Sequence, residues 1–282
     1  MSNKKKSYFT TPDDNVFREE TKPIFFEQLK SIHFLYKYMN IEGIQRMLEN
    51  PTLKFTHPSN FNDPFDCYNK IVDFSNPTNQ YLTYLVDRHF SYLSFSQRNK
   101  KFHELKSRSH DINLSIKNLH NYKICCFTTI CDNLLMWAHY ANSHTGCCIT
   151  FDLTQLYITI KLKYDLNYFY PINYKKEFTS INYFNQPLRT IITWQTTKSE
   201  DWAYEKEIRV IIVDNFINND HLFLPIDAKS FKAIYLGCKI DPEKKKKIID
   251  ICSQKYPHMK IYQMTLAENK FELHPVLVEI NK

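Results

Sequence analysis

Glycine is scarce in this chain: three occur in 282 residues, Gly43, Gly146 and Gly237, all far apart. A Walker A loop or a G-x-G-x-x-G turn needs clustered glycines, so that backbone N–H groups can approach phosphate. P-loop NTPases, standard dinucleotide-binding folds and kinases built on glycine-rich loops are therefore excluded. No apolar run reaches the roughly 20 residues that cross a bilayer, so no membrane partner is expected. The N-terminus is charged and has no apolar signal-peptide core, so a cytoplasmic address with reduced thiols is expected. The spacing C-x-x-C is missing from the eight cysteines. The pairs Cys125-Cys126 and Cys147-Cys148 would point to opposite faces of a strand and chelate poorly. Even with His139 and His144 nearby, a zinc site is a minor reading and no metal is expected.

Aromatic residues are abundant. With 19 Tyr, 21 Phe and 3 Trp, and 43% apolar residues overall, the chain can bury a substantial core. The net charge is +7, and the runs Lys4–Lys6 and Lys244–Lys247 supply much of it. Such runs read as a solvated tail and an exposed helix. They permit a nucleic-acid partner, but no nucleic-acid signature is present.

The element pattern predicts an α+β fold. Residues 1–22 read as a polar, flexible lead-in, and 23–282 as one domain with a helical insertion at about 77–120. Strands are expected at Ser31–Met39, Thr52–His57, Lys123–Thr129, Cys147–Phe151, Glu205–Val213, Ala233–Leu236, Lys260–Thr265 and Glu272–Val278. Helices are expected at Ile41–Glu49 behind an Asn40 cap, from Asp132 or Asn133 to Tyr140, at Pro187–Thr196 and at Pro242–Gln254.

Three blocks could carry chemistry. In W-A-Y-E-K-E-I-R, Trp202–Arg209, alternation on a strand would turn Glu205, Glu207 and Arg209 one way. Two carboxylates at that spacing lie roughly 7 Å apart, close enough to hold a substrate hydroxyl and an incoming nucleophile. The architectural alternative is a solvent-facing strand with a weak cross-strand Glu–Arg pair. In F-N-D-P-F-D, Phe61–Asp66, side chains bond the local backbone to make a rigid turn, which could also wall a ligand pocket. In C-F-T-T-I-C-D-N-L-L-M-W-A-H-Y-A, Cys126–Ala141, residues Met136, Trp137, His139 and Tyr140 cluster on a helix. Trp and Met there usually pack in a core, and His139 reads more readily as a structural histidine than as a base.

These blocks together resemble an uncharacterised bacterial family of unknown function, whose pattern runs L-Y-K/H-Y, N-D-P-F, M-W-x-H-Y-x…H-x-G and W-x-x-E-x-E-x-R. The order of parts also resembles, more distantly, the ADP-ribosyltransferase superfamily. The matching parts are Tyr36-Lys37-Tyr38, the helix Ile41–Glu49, strands with Thr56 and with Cys126-Phe127-Thr128, and Glu205-x-Glu207. That resemblance implies a split mixed β-sheet core with inserted and flanking helices, and NAD bound as substrate without a glycine-rich loop. It implies that Lys37 meets the cofactor where the family has His or Arg, a departure because Lys is a point charge and not a planar donor. Tyr38 or Phe127 would stack on nicotinamide. Glu207 would hold the ribose and stabilise an oxocarbenium-like centre, and Glu205 would orient or deprotonate the acceptor. Tyr36, Thr56, Asn62, Asp63, Trp137, His139, Tyr140 and Arg209 complete the expected cofactor-binding set.

The implied activity is cleavage of the nicotinamide N-glycosidic bond by a transferase or NAD glycohydrolase, in the setting of a bacterial toxin or phage-defence effector. The acceptor, protein or nucleic acid, is not specified, and an antitoxin or partner protein would accompany such an effector. Two other classes stand beside it. In a metal-dependent hydrolase or nuclease, Asp63, Asp66, Glu205 and Glu207 would converge on a hard cation. In a non-catalytic interaction domain, the same blocks would be skeleton only.

Overall fold

The side chain of Asn40 turns the chain from its first strand into its first helix. Its Oδ1 accepts the Gly43 N–H at 2.8 Å, satisfying a backbone donor that a helix start leaves free. A computed structural model describes residues 30–107, 122–163, 168–213 and 220–279. Its first elements are β1 (Phe34–Met39), α1 (Ile41–Glu49), β2 (Thr52–Thr56) and β3 (Val72–Asp73). The helical insertion follows as α2 (Asn79–His89) and α3 (Phe95–Ser107). Then come β4 (Tyr122–Thr128), α4 (Leu134–Tyr140), β5 (Cys147–Asp152), α5 (Leu153–Lys161), β6 (Tyr168–Pro171), β7 (Asn173–Lys175) and β8 (Ile181–Asn182). The last part runs α6 (Pro187–Thr196), β9 (Thr197–Ser199), β10 (Glu207–Val213), β11 (His221–Pro225), β12 (Phe231–Leu236), α7 (Pro242–Lys255), β13 (Lys260–Leu266) and β14 (Leu273–Leu277).

The fold is mixed α+β, built on one open sheet. Its strand order is β11-β2-β4-β1-β5-β12-β13-β14, with β10 joined to β4 and β6 joined to β10. Within this sheet all described pairs are antiparallel except β12–β13, which α7 connects as a crossover, while the two small sheets β3–β8 and β7–β9 are parallel. β4 is the branch point. β10 lies along one edge of it from Glu207↔Thr128 to Val213↔Tyr122. The opposite edge is shared: β2 touches it at Thr56↔Ile124, and β1 at Tyr36↔Thr128. Between those two contacts the sheet splits. There the Lys37 ammonium reaches across and donates to the Cys126 carbonyl at 2.7 Å, partnering an acceptor that a neighbouring strand would otherwise take.

Strand alternation sends Leu35 into the main core with Ile44, Leu48, Phe55, Phe151 and Ile248, beneath α1, α5 and α7. Tyr38 goes to a second cluster with Trp137, Ala141, Cys148 and Met264. The cysteine pairs divide as alternation requires: Cys125 and Cys147 belong to the main core, while Cys126 and Cys148 pack in other clusters.

Two of the three glycines meet at the α4–β5 turn. A Cβ on Gly146 would stand 2.2 Å from the Met39 carbonyl, and one on Gly237 would stand 2.1 Å from the His144 carbonyl. Asn142, Ser143 and His144 run through left-handed backbone in that turn.

Most expected elements form within a residue or two of their expected ends. One departure bears on the site: Glu205 is not on a strand. Residues Glu200–Glu205 form a 3-10 turn, Lys206 adopts φ 45°, and β10 begins only at Glu207. α5 was not anticipated. Its sequence L-T-Q-L-Y-I-T-I-K is rich in β-branched residues, which disfavour helix. Burial of Leu153, Leu156 and Ile160, together with an Asp152 cap, decides it. The short strands β6, β7, β9 and β11 exist only through their partners. The lead-in 1–22 and the end of the insertion, 108–120, lie outside the described residues. Among the described residues no helix is long and apolar enough to cross a membrane.

Candidate functional site

A cavity of about 130 Å³ opens where β1 and β4 part. Tyr36, Lys37 and Tyr38 of β1 form one wall, and Cys126, Phe127 and Thr128 of β4 the next. Phe61, Asn62 and Asp66 come from the loop after β2, and Met136 and Tyr140 from α4. Lys198, Glu205 and Glu207 close the floor.

The floor is a buried ion network. Arg209 grips Glu207 with two donors, Nε to Oε1 at 2.7 Å and Nη2 to Oε2 at 3.2 Å. The same Nη2 donates to Asp66 Oδ2 at 2.6 Å, and Nη1 to the Gln195 carbonyl at 2.7 Å. Lys198 donates to Glu205 Oε2 at 2.6 Å and to Glu207 Oε2 at 3.1 Å, and lies 3.6 Å from Asp66 Oδ2. The Tyr140 hydroxyl donates to Glu205 Oε1 at 2.5 Å. Three carboxylates thus face two cations, leaving one negative charge in excess.

Backbone geometry brings the two glutamates together. The left-handed Lys206 breaks the alternation that would otherwise set their spacing. Thr128 Oγ1 donates to the Glu205 carbonyl at 2.5 Å, and the Glu207 N–H donates to the Tyr174 hydroxyl at 2.9 Å. On the loop side, Asp63 Oδ1 accepts the Phe65 N–H at 2.9 Å. Asp66 then turns inward toward Arg209, while Cys67 takes φ 52°.

The two glutamates titrate in opposite directions. Burial raises the Glu205 carboxyl, and the pull of Lys198 and the Tyr140 hydroxyl does not cancel it. Burial acts on Glu207 in the same sense, but Arg209 and Lys198 outweigh it and hold that carboxyl at about 2. Burial also acts to lower Lys198, and Glu207, Asp66 and Glu205 overcome it and hold the ammonium protonated. Burial drives the Tyr140 hydroxyl up, and its bond to Glu205 adds to this. Glu207 is therefore held as an anion near neutral pH, and Glu205 is the carboxylate readier to take a proton.

Of the expected residues, Tyr36, Lys37, Tyr38, Asn62, Phe127, Tyr140, Glu205 and Glu207 line the one cavity. Arg209 stands behind it, fully buried. Thr56 sits at the end of β2 opposite His221 and Ile124 and does not line it. Asp63 is spent on its own turn. Trp137 is core: its indole N–H donates to the Cys131 carbonyl at 2.8 Å, and its ring meets Tyr38 edge-on at 5.2 Å. His139 is exposed, its ring 6.5 Å from Tyr204. The solvent-facing Glu–Arg pair is overturned, because Glu205, Glu207 and Arg209 are all buried.

Lys198 was not anticipated. It lies on the three-residue strand β9 in T-K-S, a pattern with no distinguishing signal. The metal reading had Asp63, Asp66, Glu205 and Glu207 converge on a cation. Asp66, Glu205 and Glu207 do converge, but on the Lys198 ammonium, while Asp63 accepts the Phe65 N–H of its own turn. Among the described residues no group of three or more His, Cys, Asp or Glu side chains could hold a metal ion.

An α+β fold with a buried acidic floor in a split sheet defines a class of architecture more than an activity. Residues 136–210 match the family described as "Protein of unknown function (DUF2971)". The matched stretch contains the M-W-x-H-Y and W-x-x-E-x-E-x-R blocks, in agreement with the uncharacterised family that the motifs resemble. No curated protein and no solved structure matches the chain.

Proposed function

We propose that the chain is an NAD-consuming, ADP-ribosyltransferase-like enzyme that cleaves the bond between nicotinamide and ribose. One observation carries this reading. Lys37, Phe127 and Glu207 come from three neighbouring strands, β1, β4 and β10, and converge on a cavity of about 130 Å³. Drug-sized ligands fill pockets of roughly 300–1,000 Å³, while a cavity of about 150 Å³ holds one benzene ring. A single ring such as nicotinamide therefore suits this space, with the rest of the dinucleotide outside.

The chemistry assigns each residue a role. As the C1′–N bond breaks, its electron pair leaves with neutral nicotinamide and positive charge grows on the ribose. The carboxylate of Glu207, kept ionised and fixed by Arg209, is a preorganised anion for that charge. An acceptor hydroxyl or water then bonds to C1′ and gives its proton to Glu205, whose raised carboxyl is suited to receive it. Lys198 ties the two glutamates in register. Lys37, whose ammonium bonds the Cys126 carbonyl in the cavity wall, is the cation this reading assigns to the pyrophosphate. The acceptor, a protein, a nucleic acid or water, stays open. A toxin or phage-defence role, with an antitoxin as companion, would rest on this activity.

A second reading, a binding domain without chemistry, is favoured by one fact: all four carboxylate oxygens of Glu205 and Glu207 already have partners. Incubation with NAD separates the two. Nicotinamide released by the native chain and abolished in Glu207→Gln, with Lys37→Met as a second variant that leaves the floor intact, supports the enzyme. No release together with no NAD binding by calorimetry overturns it.

A further inference from the structure

The loop that lends Asn62 and Asp66 to the cavity also presents a large aromatic surface to solvent. Phe65, adjacent to Asp66, is 59% exposed. Its ring meets Tyr68 edge-on at 5.3 Å, and Tyr68 meets Phe178 at 5.5 Å. Phe178 is itself 44% exposed. The Asp63 turn and Pro64 hold Phe65 in place before any ligand arrives. Lys70 lies over the Tyr68 ring at 6.0 Å, so cations stand at both ends of the span, Lys37 at the cavity and Lys70 at the aromatic trio.

A dinucleotide whose nicotinamide fills a one-ring cavity must lay its second ring on the adjoining surface. We infer that Phe65, Tyr68 and Phe178 form a nucleobase platform that stacks the adenine of NAD, with the pyrophosphate lying between Lys37 and Lys70. This inference rests on the NAD reading above and adds to it where the distal half of the substrate binds. The shape and charge suit this occupant: exposed aromatic rings, standing edge-on to one another, for a planar base, cations for a dianion, and continuity with the cavity through a single turn of chain. Base–aromatic stacking tolerates the identity of the base, so affinity would depend on the rings more than on any one hydrogen bond.

Calorimetry with two probes tests it, NAD and nicotinamide mononucleotide, which lacks the adenosine half. The native chain is expected to bind NAD on the order of tenfold more tightly than the mononucleotide. The Phe65→Ala/Phe178→Ala variant is expected to lose that preference while its affinity for the mononucleotide stays unchanged. Phe65→Tyr/Phe178→Tyr, which keeps both rings, is expected to restore it. A native chain with no preference, or an alanine variant that keeps it, overturns the platform and leaves the NAD reading standing. Equal loss of both probes in the alanine variant also overturns it, because the rings would then be supporting the cavity. A native chain that binds neither probe overturns the NAD reading, and the platform with it.

Discussion

Glu205 and Glu207 share one cation. The Lys198 ammonium lies 2.6 Å from Glu205 Oε2 and 3.1 Å from Glu207 Oε2. Only Glu207 has a second cation, Arg209. That inequality gives two nearby carboxylates opposite titration behaviour, and so different uses.

Removing the Glu207 charge should leave Arg209 and Lys198 with a weakened partner in a buried site. Breaking a buried ion pair costs about 3–5 kcal/mol. Glu207→Gln is therefore expected to lower unfolding stability by that order in urea. Glu205→Gln, which loses one cation and keeps an acceptor for Tyr140, should cost distinctly less. Equal losses would contradict the hierarchy drawn from the distances.

The pH dependence follows from the same residue. The folded pKa of Glu207, about 2, lies below its ordinary 4.5. Its stabilisation is fully present above about pH 4.5 and is lost as pH falls from there toward 2. The shift corresponds to about 3 kcal/mol. Below pH 4.5 the unfolded chain takes up a proton at Glu207 that the folded chain does not, so the stability gap between the native chain and Glu207→Gln should shrink between pH 5 and pH 3. A gap that stays constant across that range would contradict the depressed pKa.

The α4–β5 turn should tolerate no side chain at its glycines. Gly146→Ala would place a Cβ 2.2 Å from the Met39 backbone oxygen, which the strand can relieve only by moving. Overpacking of this kind costs roughly 2 kcal/mol or more. Gly43→Ala, whose nearest contacts are two side-chain atoms at 3.0 Å, should cost clearly less. Thermal unfolding of the two variants checks the contrast.

Two neighbours on α4 should behave differently. Trp137 is fully buried and bonded to the Cys131 carbonyl, so Trp137→Ala is expected to cost about 3–5 kcal/mol. His139 is exposed, and His139→Ala should stay within about 0.5 kcal/mol of native stability. Neither His139→Ala nor Thr56→Ala should alter NAD affinity, because neither side chain lines the cavity. A large loss of affinity in either would place the ligand elsewhere.

Much of the local structure was legible because local rules govern it. The Asn40 cap, the Pro187 and Pro242 helix starts, and the opposed faces of Cys125-Cys126 and Cys147-Cys148 each depend on a few consecutive residues. The alternation reading of Glu205, Glu207 and Arg209 reached a true result by a wrong route. The side chains do converge, but through the left-handed Lys206 and a 3-10 turn, neither of which a period-two pattern contains.

By itself, the sequence determined what a short stretch of chain can determine: an aromatic-rich α+β protein, no glycine-rich phosphate loop, most strands and helices near their final bounds, and acidic residues at Glu205 and Glu207. Tertiary structure alone decided that these two are buried and not solvent-facing, because Tyr140 of α4, Lys198 of β9 and Arg209 of β10 pack against their carboxylates. It alone drew Asp66 into one network with Lys198 and Arg209, since the loop that carries Asp66 lies more than a hundred residues from both in sequence. Burial then set the charges: a carboxyl's pKa depends on which cations share its low-dielectric surroundings, and those neighbours are assembled only when the chain folds.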